Sequence, residues 1–273
     1  MLQPEQTMRH HSPCLAMLRL VGLFAAITHA GCTQQTARQS PASNPGKNDS
    51  AVARPEKARP EKPALPTAST PGTLEGTVHY VADPQRHWRL GRYYIRDASQ
   101  GNLAEAVVAL RGSKLTEAAK KASPTTVTID QKDDLFVPET IVLRAGDRVK
   151  FTNSDAKLHN VKSNHARHPF NFNLTKGKEA VQTFKRAVSM RRPVQLGCAY
   201  HSSMRAWIYV FDHPFYQLTG EDGKFRLVGV PPGEYRLEVA HPAGGRRSSQ
   251  KLTIKPGKSV TIDIRLSADD RVK

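Results

Sequence analysis

From residue 74 onward the chain alternates apolar and polar positions in short runs, broken by Gly, Pro, Asn and Asp. A period of two between turn residues marks half-buried strands. Such runs cover residues 125–129, 140–143, 148–152, 170–174, 180–184, 194–196 and 207–211. A second set, 74–80, 106–110, 219–227, 230–239, 251–254 and 260–266, lies on both sides of the first. No long helical period appears, although 114–121 fits a short helix. The pattern predicts an all-β protein: a Greek-key sandwich, with function on the loops at one end, inserted into a second small β-sandwich. Turns at Glu221, Asp222 and Gly223, and at Pro231, Pro232 and Gly233, divide the later strands of the outer sandwich.

The first 73 residues do not share this alternation. Arg9 and Arg19 supply positive charge beside the apolar stretch 20–27, which is too short to span a bilayer. Ala30 and Gly31 then precede Cys32. This resembles a bacterial lipobox, which implies an export signal at 1–32, lipidation of Cys32 and a mature chain anchored to a membrane. Over 33–73 Pro, Ala, Ser, Lys and Gln dominate, and Ala-Arg-Pro-Glu-Lys at 53–57 repeats at 58–62. Such a segment buries too little apolar area to offset its ordering entropy, so it is expected to be a disordered tether. The expected division is then 74–115 for the first part of the outer sandwich, 124–213 for the insert, 214–266 for the second part and 267–273 for a tail. Residues 81–101, with Trp88, Tyr93 and Tyr94, fit neither sandwich.

Charge and cysteine count narrow the function. The 273 residues carry 41 Lys and Arg against 24 Asp and Glu, a net +17. Asp49, Glu56 and Glu61 offset half the cations of the tether, so most of the excess lies on the folded part. Lys176, Lys178, Lys185, Arg186, Arg191, Arg192 and Arg205 are among the contributors. Such a surface favours fast docking with an acidic partner, weakened by salt. Nucleic acid is the usual alternative for a basic chain, but no nucleic-acid motif is present. Cys14 and Cys32 fall in the leader, which leaves Cys198 as the only thiol of the folded part. It cannot form an intramolecular disulfide there, and metal ligation gives a solitary exported thiol a role.

Cys198, His201 and Met204 stand within one seven-residue stretch, and His159 lies upstream after a strand-like run and the turn at 153–155. Two imidazoles, one thiolate and a weak thioether are the ligand set of a blue-copper electron-transfer site. Thiolate suits Cu(I), imidazole suits both oxidation states, and a distant thioether tunes the potential. Three ligands on one loop cannot share a strand face, so the fourth must come from a neighbouring strand end. Zinc fits less well, because its structural sites prefer more thiolates or imidazoles and no thioether. A dinuclear copper centre would need a second thiolate in the loop. A copper enzyme would need a further open site, and His165, His168, His213 and His241 are not spaced to build one; they are expected at the surface.

The stretch from 127 to 210 resembles a cupredoxin. The resemblance rests on Phe136, Val137 and Pro138; on Arg144, Gly146 and Asp147; on Val149 through Asn153; on His159, Asn160 and Val161; and on the spacing of Cys198, His201 and Met204 before Trp207. The compact ligand loop resembles that of the amicyanins, and the layout resembles cupredoxins labelled methylamine utilization proteins. Two positions depart from the pattern: residues 190–197 lack the usual Gly-x-Tyr, and Ala206 stands where Gly is usual. The resemblance implies one mononuclear type 1 copper ion on His159, Cys198, His201 and Met204, with Asn160 tying the two ligand loops together. It implies a one-electron carrier rather than an enzyme, in the periplasm or cell envelope, meeting a redox protein. The alternative is a copper storage or delivery protein, or a surface-binding module. The flanking strands resemble a carboxypeptidase regulatory-like, transthyretin-like sandwich.

Overall fold

The structure, a computed structural model, describes residues 69–81, 85, 94–95, 99–119, 123–242, 245–267 and 270. The expected export signal at 1–32 with Cys32, residues 33–68 of the tether expected at 33–73, and most of 81–101 lie outside the described residues. The end of the expected tether is corrected, since Gly72 and Thr73 already belong to the first strand, paired with Val230 and Val228.

The described chain is all-β, as its alternation predicts. Two strands come first, β1 (Gly72–Tyr80) and β2 (Val107–Arg111). The next group comprises β3 (Thr126–Lys132), β4 (Leu135–Val137), β5 (Thr140–Arg144), β6 (Arg148–Asn153), β7 (His159–His165), β8 (His168–Leu174), β9 (Glu179–Thr183), β10 (Val194–Gly197) and β11 (Arg205–Phe211). The last group is β12 (Tyr216–Leu218), β13 (Lys224–Val230), β14 (Gly233–His241), β15 (Arg246–Ile254), β16 (Ser259–Thr261) and β17 (Ile264–Leu266). Within the helix expected at 114–121 the described residues form a 3-10 turn, Thr116–Ala119. Leu115, just before this turn, is buried in the outer core, and residues 120 and 121 of the expected helix lie outside the described residues.

The middle group forms two sheets of its own, ordered β5-β11-β10-β7-β8 and β4-β3-β6-β9. The first and last groups combine into β13-β1-β16, with β17 also on β1, and β12-β2-β14-β15. One sandwich is thus inserted in the other. The chain leaves from β2 and returns on β12, which pairs antiparallel with β2, Tyr216 opposite Ala109 and Leu218 opposite Val107. Exit and entry lie side by side, so the insertion does not open the outer sheet.

Strand alternation explains how the sandwiches pack on each other. In β11, Ala206, Ile208 and Val210 enter the core of the insert, while Tyr209 and Phe211 on the other face join Val107, Ala109 and Ala240. In β2 the faces divide the same way: Val108 and Leu110 enter the outer core with Leu74, Val78 and Leu237. Both strands are therefore buried on two faces. Burial pushes the Tyr216 hydroxyl up to about 12, and Asp147 adds to the shift.

The run 260–266, expected as one strand, is two. It breaks where the Ile262 N–H donates to the Glu75 carbonyl at 2.9 Å. Asp263 Oδ1 accepts the Thr77 N–H at 3.0 Å in the same crossing. Glycine at 76 permits this approach, since a Cβ there would sit 1.8 Å from the Ile262 carbonyl oxygen. Gly76→Ala is accordingly expected to destabilise the protein by about 1–3 kcal/mol through overpacking against backbone that cannot swing aside. Urea unfolding measures this; a change within error would show that β16 and β17 yield freely.

Candidate metal centre

Asparagine chemistry shapes the first ligand loop. Asn153, buried at the end of β6, accepts the Asp155 N–H on Oδ1 at 2.9 Å. Its Nδ2 donates to the Lys157 carbonyl at 2.8 Å and the Leu174 carbonyl at 2.7 Å. This local turn delivers His159 as the first residue of β7, opposite Leu174 of β8. The second ligand loop runs from the end of β10 to the start of β11, with Cys198 at its head and Met204 at its foot. The Met204 N–H donates to the His201 carbonyl at 3.1 Å and closes the loop.

The two loops converge. His159 Nδ1 lies 3.1 Å from His201 Nδ1, and Cys198 Sγ lies 3.7 Å from His201 Nδ1. The ligand atoms of His159, Cys198 and His201 all fall within 4.8 Å of one another. Met204 is fully buried in the core cluster that Cys198 packs against, and both line the same groove. Two nitrogens each about 2.0 Å from a common ion at a near-tetrahedral angle stand about 3.3 Å apart, and a nitrogen and a sulfur about 3.5 Å. The observed separations fit one shared cation.

The neighbouring carboxylates sharpen that fit. Burial works against the charge of Asp155, but hydrogen bonds from the Asp134 and Asp133 amides and from His159 outweigh it and hold the carboxyl below its ordinary range. An ionised carboxylate only accepts, so Nε2 of His159 carries the proton and donates to Asp155 Oδ2 at 2.8 Å. The Nδ1 lone pair of His159 then faces His201 Nδ1. In the absence of an ion a proton on His201 Nδ1 can bridge the 3.1 Å gap, and a cation in its place would be held by both nitrogens.

Asn160 sits where the tie between the loops requires. Its backbone N–H donates to Cys198 Sγ at 3.4 Å, and its Oδ1 accepts the Ala199 N–H at 3.3 Å. Its Nδ2 faces Asn171 Oδ1 at 2.8 Å, Asn173 Oδ1 at 2.8 Å and the Phe172 carbonyl at 3.0 Å.

Sequence reasoning missed Asp134 and Asp155. Asp155 stands four residues before His159, a spacing that carries a weak signal in a loop; Asp134 comes from a distant hairpin and carries none. The surface placement of the remaining histidines is corrected for three of them: His168, His213 and His241 are buried. Each finds a backbone partner that supports burial: His168 Nε2 with the Arg186 carbonyl at 2.7 Å, His213 Nδ1 with the Phe215 N–H at 3.1 Å, and His241 Nε2 with the Ala104 carbonyl at 3.2 Å. Burial lowers the proton affinity of His168 and His213. Among the described residues none of these three, nor His165, joins a converging group of ligand atoms.

Residues 209–267 match the family model described as the carboxypeptidase regulatory-like domain. That match spans the end of β11 and all of β12 to β17. No curated protein matches the chain. Among solved structures, a purple cupredoxin from Nitrosopumilus maritimus is similar at 19% identity, covering 30% of this chain and 97% of that one, with a TM-score of 0.26. Amicyanin from Paracoccus versutus is similar at 19% identity over 38% of this chain and 96% of that one, TM-score 0.27. A Cu-containing nitrite reductase from Thermus scotoductus is similar at 17% identity over 50% of this chain and 28% of that one, TM-score 0.29.

Asn160→Ala removes the side-chain half of the loop tie and leaves buried polar groups without partners. It is expected to cost about 1–3 kcal/mol in urea unfolding of the metal-free protein. Amide hydrogen exchange at Ala199 should quicken in parallel; unchanged exchange there would mean that Asn160 does not hold the second loop.

Proposed function

We propose that this chain is a mononuclear copper protein of the cell envelope that carries single electrons, with His159, Cys198, His201 and Met204 holding the ion. The reading rests on one observation, the convergence of two imidazole nitrogens and a thiol sulfur at 3.1 and 3.7 Å. Copper in this ligand set supplies a one-electron couple whose potential the thioether tunes. The residues divide the remaining work. His159 is fully buried, and its ring is fixed by Asp155. The His201 side chain is 29% exposed, so its edge is the port through which an electron reaches a partner. Apolar side chains stand exposed beside these residues in the chain: Leu135 next to Asp134, Leu158 next to His159, and Tyr200 next to His201. They suit brief contact with another protein's surface. Lys162 and Arg205 line a groove together with Cys198, which supports an acidic redox partner.

The proposed setting follows the same lines. Lipid attachment at Cys32 would anchor the chain, and the stretch from there to the start of β1 at Gly72 would give it reach. Segments 74–115 and 214–266 would form a carboxypeptidase regulatory-like support around the cupredoxin at 124–213. Storage or delivery of copper is the second reading. The groove beside the ligand loop favours it, because Cys198 and Met204 both line a recess of about 540 Å³ through which an ion could pass.

The deciding experiment loads the full chain with Cu(II) and records absorption, spin resonance and voltammetry. One equivalent, an intense visible thiolate-to-copper band and a reversible wave are expected. Cys198→Ser should abolish the band and leave the fold intact; an unchanged spectrum would remove Cys198 from the site. Met204→Leu should keep copper bound and raise the potential, since a donor that favours Cu(II) is lost; a lowered potential would contradict its axial role. Transfer of copper to an apo-acceptor without a redox wave would replace the carrier by a delivery protein.

A further inference from the structure

We propose that Asp134 and Asp155 form a positioning clamp on the Nε2 edges of His159 and His201, fixing both rings so that their Nδ1 atoms face one cation; this rests on the reading of the site as a copper centre. Asp155 Oδ2 accepts from His159 Nε2 at 2.8 Å. Asp134 Oδ1 stands 3.8 Å from His159 Nε2 and also 3.8 Å from His201 Nε2. That oxygen is buried and has no hydrogen-bond partner, while its twin, Oδ2, is paired with Lys157 Nζ at 2.6 Å. A buried carboxylate oxygen without a donor is costly in a folded protein. The orphan faces both imidazole edges, and a small rotation of His201 would satisfy it.

The backbone keeps the clamp in place. The turn between β3 and β4 holds Asp133 at φ 53° and Asp134 at φ 58°, the region where glycine and asparagine are favoured. Asp155 secures this turn from the other loop, accepting the Asp133 N–H at 2.8 Å and the Asp134 N–H at 3.1 Å. One side chain thus joins the hairpin turn to the histidine. The consequence is chemical. A carboxylate on the outer nitrogen fixes the tautomer and makes the inner nitrogen a stronger donor. Two negative charges beside the rings favour the more positive oxidation state of the ion, and Lys157 offsets one of them.

The test uses the full chain with Asp155→Ala, Asp134→Ala and the conservative Asp155→Asn, which keeps an acceptor and removes the charge. Imidazole nitrogen NMR of the metal-free protein should show His159 as the Nε2–H tautomer. That tautomer should become mixed in Asp155→Ala and return in Asp155→Asn, while Asp134→Ala should alter the His201 signals. On the copper form, each alanine variant should lower Cu(II) affinity by about 10- to 100-fold and raise the potential. Unchanged tautomers in both alanine variants overturn the clamp, whether or not copper binds. A native chain that binds no copper overturns the copper reading instead, with the tautomers still deciding the clamp. A second equivalent of Zn(II) lost in Asp155→Ala would make the carboxylates ligands and overturn the positioning role.

Discussion

The geometry of the site depends on a single tie. Asn160 joins the loop that carries His159 to the loop that carries Cys198 and His201, through its backbone N–H on Cys198, 38 positions away, and its side chain on Ala199. The sheet alone constrains them weakly, because β10 meets β7 in one residue pair, Gly197 opposite Lys162. The tie is itself braced. The contacts of its Nδ2 with β8 orient the side chain, so its carbonyl oxygen cannot turn away from Ala199 without breaking bonds on the other side. Gln131, fully buried on β3, donates to the Asn160 carbonyl at 3.2 Å and links the second sheet to the same residue. Ordering of the loops is thereby met by protein contacts, and an arriving ion need not supply it.

Strand β11 connects this site to the rest of the molecule. Met204 stands just before its first residue, and Phe211 at its last packs against the outer sandwich. Seven residues of extended chain span about 20 Å. The strand pairs with β10 on one side and β5 on the other, and both of its faces are covered. A strand so confined has little freedom to slide, since a one-residue slip would exchange Ile208 and Val210 for Trp207 and Tyr209 in the core. The outer sandwich thus supports the 198–204 loop from a distance, and among its described residues none joins the group formed by His159, Cys198 and His201.

This division of labour explains what the sequence disclosed. Cys198, His201 and Met204 were legible because their chemistry is packed into one loop, and His159 because a strand and a turn precede it. The alternation of β11 announced a strand, yet two-sided burial could not be read from it, since Trp207, Tyr209 and Phe211 pass for the exposed face of an ordinary strand. β4, three residues long, is too short to show a period. The break at Ile262 depends on a glycine in β1, far away in the chain, which local pattern cannot reveal. Asp134 was hidden for the same reason: the pairing of β3 with β6, parallel and with Asp130 opposite Thr152, brings its hairpin over the histidines. The buried histidines looked like surface residues because the backbone carbonyls and amides that satisfy them have no signature in side-chain identity.

Charge presents the last puzzle, because a chain of net +17 is an unpromising host for a cation. Distance resolves it. At physiological ionic strength, exposed charges fade over about 8 Å, so lysines and arginines remote from the site act weakly on it. The Asp155 and Asp134 carboxylates stand 2.8 and 3.8 Å from the imidazoles, inside that range and shielded from solvent on the His159 side. The field where the imidazole nitrogens and the thiol converge therefore combines these carboxylates with the nearby cations, Lys157 paired with Asp134, and Lys162 and Arg205 in the groove beside Cys198. The remote cations act instead as a broad surface potential, to which many weak charges add over a wide area. The adjacent carboxylates can therefore favour a cation where His159, Cys198 and His201 converge although the chain as a whole is cationic, because water screens the remote charges far more than the adjacent ones.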